Sequence, residues 1–192
     1  MIPSQRPLRI VITGSECTGK TTLAHSLANL LGAPVSKEAA RDFVDELQRA
    51  IEFSDVETIA HRQIAIEDTL INAQAPIVIF DTDLFSTLIY SNLYFGQCPN
   101  WIEPLCHQRR ADLYLLCKPD LPWVNERFQR SQSTKTQQRH AHELFTQKMK
   151  QGKCLVTAID GLNGTRLRNA VKAMTEALDL PKTAVDQLLK SI

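Results

Sequence analysis

Residues Gly14-Ser15-Glu16-Cys17-Thr18-Gly19-Lys20-Thr21 satisfy the spacing G-x-x-x-x-G-K-[ST], the pattern of a loop that wraps a polyphosphate. Each residue type in it has a physical reason. The glycines let the backbone close around phosphate oxygens. The loop N–H groups and the N-terminus of a following helix favour negative charge, Lys20 adds a point charge, and the Thr21 hydroxyl can reach a magnesium ion. The pattern also has the context it needs. Leu8 to Thr13 is a β-branched run of the kind that forms a buried strand, and Thr22 to Leu31 repeats apolar residues at helical spacing. Residues 14 to 22 are therefore expected to bind the phosphates of ATP with Mg2+.

Two further groups carry chemistry where other strands should end. The apolar run Pro76 to Phe80 delivers Asp81 and Asp83, two positions apart, to the edge of a sheet. One carboxylate beside Thr21 suffices for magnesium, which keeps several waters, so Asp81 is read as the metal residue. Asp83 could accept a hydrogen bond from a substrate hydroxyl, or simply cap the helix that begins at Leu84. Glu38 and Arg41 are three residues apart and share a helix face. The glutamate could orient or deprotonate an attacking hydroxyl while Arg41 offsets charge on a transferring phosphoryl group. The alternative is a surface ion pair of little consequence. The base is thus open among Glu38, Asp81 and Asp83. Farther on, Arg127 and Arg139 flank, and Arg130 lies within, a polar stretch, residues 129 to 138, suited to a mobile flap, and Trp123 beside it could stack on a ring or pack locally.

These residues need a scaffold that brings strand ends together. Apolar runs at residues 8–13, 33–36, 76–80, 112–117 and 154–159 predict five strands. Helical patterns near 38–50, 55–74, 84–94, 101–110, 137–151 and 163–178 alternate with them. That alternation predicts an α/β fold: a doubly wound five-stranded parallel sheet with helices on both faces, whose ligands bind beyond the carboxyl ends of the strands. A lid is expected over residues 120 to 138 and a tail over 179 to 192. At 192 residues the chain suits one domain, since chains of this size bury roughly 70% of their unfolded surface.

Composition removes several alternatives. A net charge of +1 with dispersed charges gives no basic stripe for nucleic acid. The five cysteines form no C-x-x-C pair, and the five histidines show no metal-ligand spacing, which argues against disulfides and zinc. No apolar stretch approaches about 18 residues and the first seven residues have no leader-like apolar region, so a cytoplasmic protein is expected. Nothing in the sequence decides between a monomer and a homo-oligomer.

The segment Gly14 to Ala24 resembles the G-x-E-S-[ST]-G-K-[ST]-T-L-[AV] loop of the NadR-type ribosylnicotinamide kinases. Glu38-x-x-Arg41-Asp42-Phe43-Val44 is similar to that family's E-x-[AG]-R-E-[FY]-[LV], Asp81-Thr82-Asp83 to its D-T-D, and Asp112 to Leu116 followed by Pro122-Trp123 to its strand-to-lid segment. The resemblance spans about residues 8 to 160. It implies transfer of the γ-phosphate of ATP to the 5′-hydroxyl of nicotinamide riboside. It implies the kinase part alone, because only seven residues precede the first strand. It also implies that Lys37 and Glu67 stand where the family carries a tryptophan and a tyrosine that sandwich the nicotinamide ring, and that Arg130 lies one position late for the family's lid arginine. Another nucleoside or nucleotide kinase, or a regulatory ATPase, are the alternative readings.

Overall fold

A computed structural model describes residues 6–73, 75–122, 134–179 and 192 of the chain. Four strands, β1 (Leu8–Thr13), β2 (Ile77–Asp81), β3 (Leu113–Cys117) and β4 (Val156–Ile159), form one parallel sheet in the order β2-β1-β3-β4. The register sets Ile12 of β1 opposite Asp81 on one side and Leu115 on the other, so these strands end at a common edge. Seven helices wrap the sheet among the described residues: α1 (Lys20–Leu31), α2 (Ala39–Leu47), α3 (Val56–Ile71), α4 (Leu84–Phe95), α5 (Ile102–Gln108), α6 (Lys135–Gln151) and α7 (Asn163–Leu178).

The expected fifth strand does not form. Ala33 to Ser36 contributes a single bridge, Val35 beside Ile79, made by two hydrogen bonds of 3.0 Å each, Ser36 N–H to Ile79 carbonyl and Ile79 N–H to Pro34 carbonyl. Pro34 has no N–H, so the ladder has no donor at that position. The chain then turns into the N-terminus of α2 and delivers Glu38 rather than extending the pairing.

Alternation along β1 divides the core into two layers, as a strand's period of two requires. Ile10 and Ile12 pack with Leu23 and Leu27 of α1 and Val171 and Met174 of α7. Val11 packs on the other face with Phe80, Leu84, Phe85, Leu88, Ile102 and Met149. β3 has no wet face, every residue from Leu113 to Cys117 being buried, as expected for a central parallel strand covered by helices on both sides. The result is a rigid platform whose carboxyl edge carries the loops that bear the chemistry.

Candidate active site

The phosphate loop leaves β1 through Gly14, whose φ of 135° suits glycine alone. A Cβ there would lie 2.8 Å from the Cys117 carbonyl, so the absence of a side chain is what lets the loop run so close to β3. Gly19, at φ 72°, occupies the cap position of α1. Between them the loop is braced internally. Thr18 Oγ1 donates to the Ser15 carbonyl at 2.7 Å and Lys20 Nζ to the same oxygen at 2.9 Å. The ammonium is thus folded back over the loop, above the amides that a polyphosphate would meet.

Glu38 takes the cap position of α2 in extended conformation, with no side-chain cap bond, leaving its carboxylate free for other work. It stands 3.5 Å from Arg41 Nε, and its side chain is 20% exposed. Burial pushes the Glu38 carboxyl above the ordinary glutamate range; Lys20 pulls it back, Asp81 pushes it up again, and Arg41 and Glu16 act in smaller opposing measure. Asp81, the last residue of β2, is buried, and its Oδ1 has no hydrogen-bond partner among the described residues. A buried, unsatisfied carboxylate oxygen is costly unless something electropositive meets it. With the Thr21 hydroxyl at the start of α1 it makes a hard-oxygen donor set of the kind Mg2+ uses when phosphates complete its sphere. Among the described residues no group of three or more His, Cys, Asp or Glu side chains forms a metal site.

Lys20, Thr21, Glu38 and Arg41 open into one cavity of about 450 Å³, whose lining includes Thr82 but not the neighbouring Asp81. Its lining combines the polar residues Glu16 to Thr22, Glu38 and Arg41 with the apolar and aromatic Val44, Ile51, Val56, Ile59, Tyr90 and Phe95. Residues 9–162 match the family described as AAA domain. The chain belongs to that family. Among curated proteins it is similar to the trifunctional NAD biosynthesis/regulator protein NadR of Escherichia coli (strain K12), 30% identical over 121 residues, which are 60% of this chain and 29% of that protein. The NadR of Salmonella typhimurium (strain LT2) gives the same figures. The chain therefore spans under a third of the length of these curated relatives. Among solved structures, a crystal structure of NadR protein in complex with NR superposes with a TM-score of 0.77 at 24% identity, over 93% of this chain and 52% of that one. Thymidylate kinase from Ehrlichia chaffeensis gives 0.62 at 16% identity, over 91% and 98%. The NadR resemblance and the P-loop nucleoside-kinase-like fold thus stand, with four strands in place of five.

Other expected site residues of this AAA domain lie elsewhere. Asp83 caps α4, its Oδ1 accepting from Phe85 N–H at 3.1 Å and its Oδ2 from Tyr114 Oη at 2.9 Å, and it does not line the cavity. Thr82, in left-handed conformation at φ 68°, turns the chain so that Thr82 faces the cavity and Asp83 goes beneath it. Burial raises the Asp83 carboxyl to about 7, with the nearby Glu67 charge adding to the effect. A group whose pKa is higher folded than unfolded stabilises the fold at low pH and ceases to do so as pH rises through the folded value. We therefore expect the melting temperature to fall between pH 5 and pH 8, and Asp83→Asn to flatten that slope in thermal melts; an unchanged slope contradicts the assignment.

Neither Lys37 nor Glu67 reaches the cavity. Lys37 is exposed, while Glu67 is buried and held by Arg109 at 3.0 and 3.1 Å and by Leu84 N–H at 3.2 Å. The aromatic surface comes instead from α4, where Tyr90 and Tyr94 stack with centroids 5.6 Å apart. Tyr94 Oη donates to Glu16 Oε1 at 2.8 Å and Tyr90 Oη to the Gly14 carbonyl at 3.4 Å, tying this helix to the phosphate loop. Gln138 of α6 adds a 2.7 Å bond to the Glu16 carbonyl. Trp123, Arg127 and Arg130 lie outside the described residues, as does the middle of the expected lid; its last residues are not a flap but the first turn of α6, where Thr134 and Gln137 form a capping box, and Arg139 is exposed on that helix.

Sequence reasoning missed Arg166. Buried on α7, it donates to the Thr18 carbonyl at 3.1 Å and the Gly161 carbonyl at 2.9 Å and pairs with Asp120, fastening the phosphate loop to two neighbouring loops. An arginine three residues into a helix, where its last-turn role is absent, was the available signal.

Proposed function

We propose that this AAA domain transfers the γ-phosphate of ATP to the 5′-hydroxyl of nicotinamide riboside, giving nicotinamide mononucleotide and ADP. The observation that carries the reading is that the phosphate loop, Glu38 and Arg41 line one cavity together with apolar and aromatic side chains. Phosphoryl transfer asks little covalent chemistry of a protein, chiefly alignment and charge neutralisation. Lys20 supplies positive charge at the phosphates. Glu38 accepts the proton of the attacking hydroxyl as the new O–P bond forms and the bond from the γ-phosphorus to the β–γ bridging oxygen breaks. Thr21 and Asp81 would hold Mg2+, which spreads the charge of the β- and γ-phosphates. Arg41, beside Glu38, offsets charge on the transferring group, and Asp83 acts by positioning α4.

The lining also favours a nucleoside over a nucleotide acceptor. Apart from Lys20, the one cationic side chain on the described lining is Arg41, and it is paired with Glu38. A nucleoside monophosphate brings a dianion that would need more positive charge than that. The NadR relatives and the NadR complex with NR support nicotinamide riboside as the first acceptor to try.

The test is magnesium-dependent ADP release across nicotinamide riboside, adenosine, cytidine, thymidine and their monophosphates. Strong stimulation by nicotinamide riboside is expected. Stimulation by another nucleoside alone would replace the acceptor, and no stimulation by any would leave an ATPase and overturn the reading.

A further inference from the structure

We propose that Gln63 reads the acceptor, admitting a ring that bears an exocyclic N–H2 group, as an amide does, in preference to one bearing a carboxylate at the same position. The inference rests on the nucleoside-kinase reading above and deepens it. Gln63 is 2% exposed and lines the cavity. It follows Val56 and Ile59 by seven and four residues on α3, so one helix face brings an amide to the cavity beside two apolar side chains.

The orientation of that amide is dictated by what surrounds it. Nε2 donates to the Thr82 carbonyl at 3.4 Å and to Glu67 Oε1 at 3.3 Å, while Oε1 accepts from Ala39 N–H at 3.4 Å. A carbonyl can only accept. Glu67 is itself engaged by donors, Leu84 N–H and the Arg109 guanidinium. Turning the amide over would set oxygen against two oxygens and N–H against N–H, replacing three bonds by three repulsions. A primary amide has two N–H donors and two acceptor lone pairs. Both donors are spent inside the protein, and one lone pair remains. Gln63 can therefore offer a ligand only an acceptor. It bonds an N–H and repels a carboxylate.

The test compares kcat/KM for nicotinamide riboside and nicotinic acid riboside, in the wild-type chain and in Gln63→Met, which keeps length and volume without the amide. We expect the wild type to prefer the amide by on the order of 10²-fold or more, since a site built to bond an N–H strongly rejects the analogue lacking it. In Gln63→Met that ratio should collapse to parity. A purely structural role would lower both rates and leave the ratio intact, so an unchanged ratio overturns the proposal, as does equal use of both nucleosides by the wild type. If Gln63→Met does not fold, Gln63→Leu serves: it too removes the amide, so the ratio must fall, and a preserved ratio overturns the proposal. Failure of the underlying kinase reading looks different, because then neither nucleoside is phosphorylated at all.

Discussion

Lys20→Ala is expected to lower the acceptor-dependent turnover by on the order of 10³-fold while leaving the melting temperature nearly unchanged, because the ammonium acts on charge that develops at the phosphates. The separation of the two effects follows from the loop's own bracing. Lys20 Nζ shares its acceptor, the Ser15 carbonyl, with Thr18 Oγ1, which holds it at 2.7 Å, so losing the lysine leaves no orphaned carbonyl. The glycine turn at Gly14 and the anchoring of Thr18 by Arg166 are likewise untouched. Steady-state ADP release, together with thermal melts with and without ATP, measures both quantities. Retained turnover in Lys20→Ala would sink the kinase assignment, and a large loss of stability would show that the loop depends on the ammonium for its shape.

The second large effect concerns the base. Glu38→Gln is expected to reduce kcat by about 10²- to 10⁴-fold, the range for removing a positioned general base. Stability should barely change. Glu38 makes no side-chain cap bond to α2, and its pairing with Arg41 at 3.5 Å is partly solvated, which limits its worth to well under ~1 kcal/mol. The pH profile separates a base from a mere orienting group. Glu38 must be ionised to accept a proton, so the rate falls as pH drops through its pKa, and burial places that acid limb above the ordinary glutamate value of 4.5. Glu38→Gln should remove the limb along with the rate. A variant that keeps both would move the role to another group, and Asp83, capped under α4 and bonded to Tyr114, has no exposed oxygen lining the cavity to assume it.

How far the site was legible in the sequence depended on whether its parts were local. The phosphate loop is a contiguous octapeptide whose function comes from its own backbone, so reading Gly14 to Thr21 between a strand and a helix located it fully. Glu38 and Arg41, singled out by their helical spacing after an apolar run, do line the same cavity as that loop. Asp83 was ambiguous because D-T-D followed by an apolar run serves equally for ligand contact and for capping. Only the left-handed turn at Thr82 and the reach of Tyr114, 31 residues away, decide that the carboxylate points into the protein. The aromatic side chains of the cavity could not be located by positional correspondence. Lys37 and Glu67 occupy the corresponding stretches, yet the aromatic wall is supplied by α4.

The strand count fails for a related reason. Ala33 to Ser36 has strand-like composition, but whether a short edge run pairs depends on its donors and on where the chain must go next, and Pro34 together with the turn to Glu38 allows one bridge. By itself the sequence determined the layered α/β class, the phosphate loop and the carboxylates that follow apolar runs, all of them consequences of periodicity and short-range spacing, and its motifs carried the family resemblance. Only the tertiary structure decided which carboxylates face the cavity, which helix provides the aromatic wall and which way the Gln63 amide is turned. Those are settled by contacts between residues far apart in the chain, such as Gln63 with Thr82 or Arg166 with Thr18, and by the energy of leaving a buried polar atom without its partner.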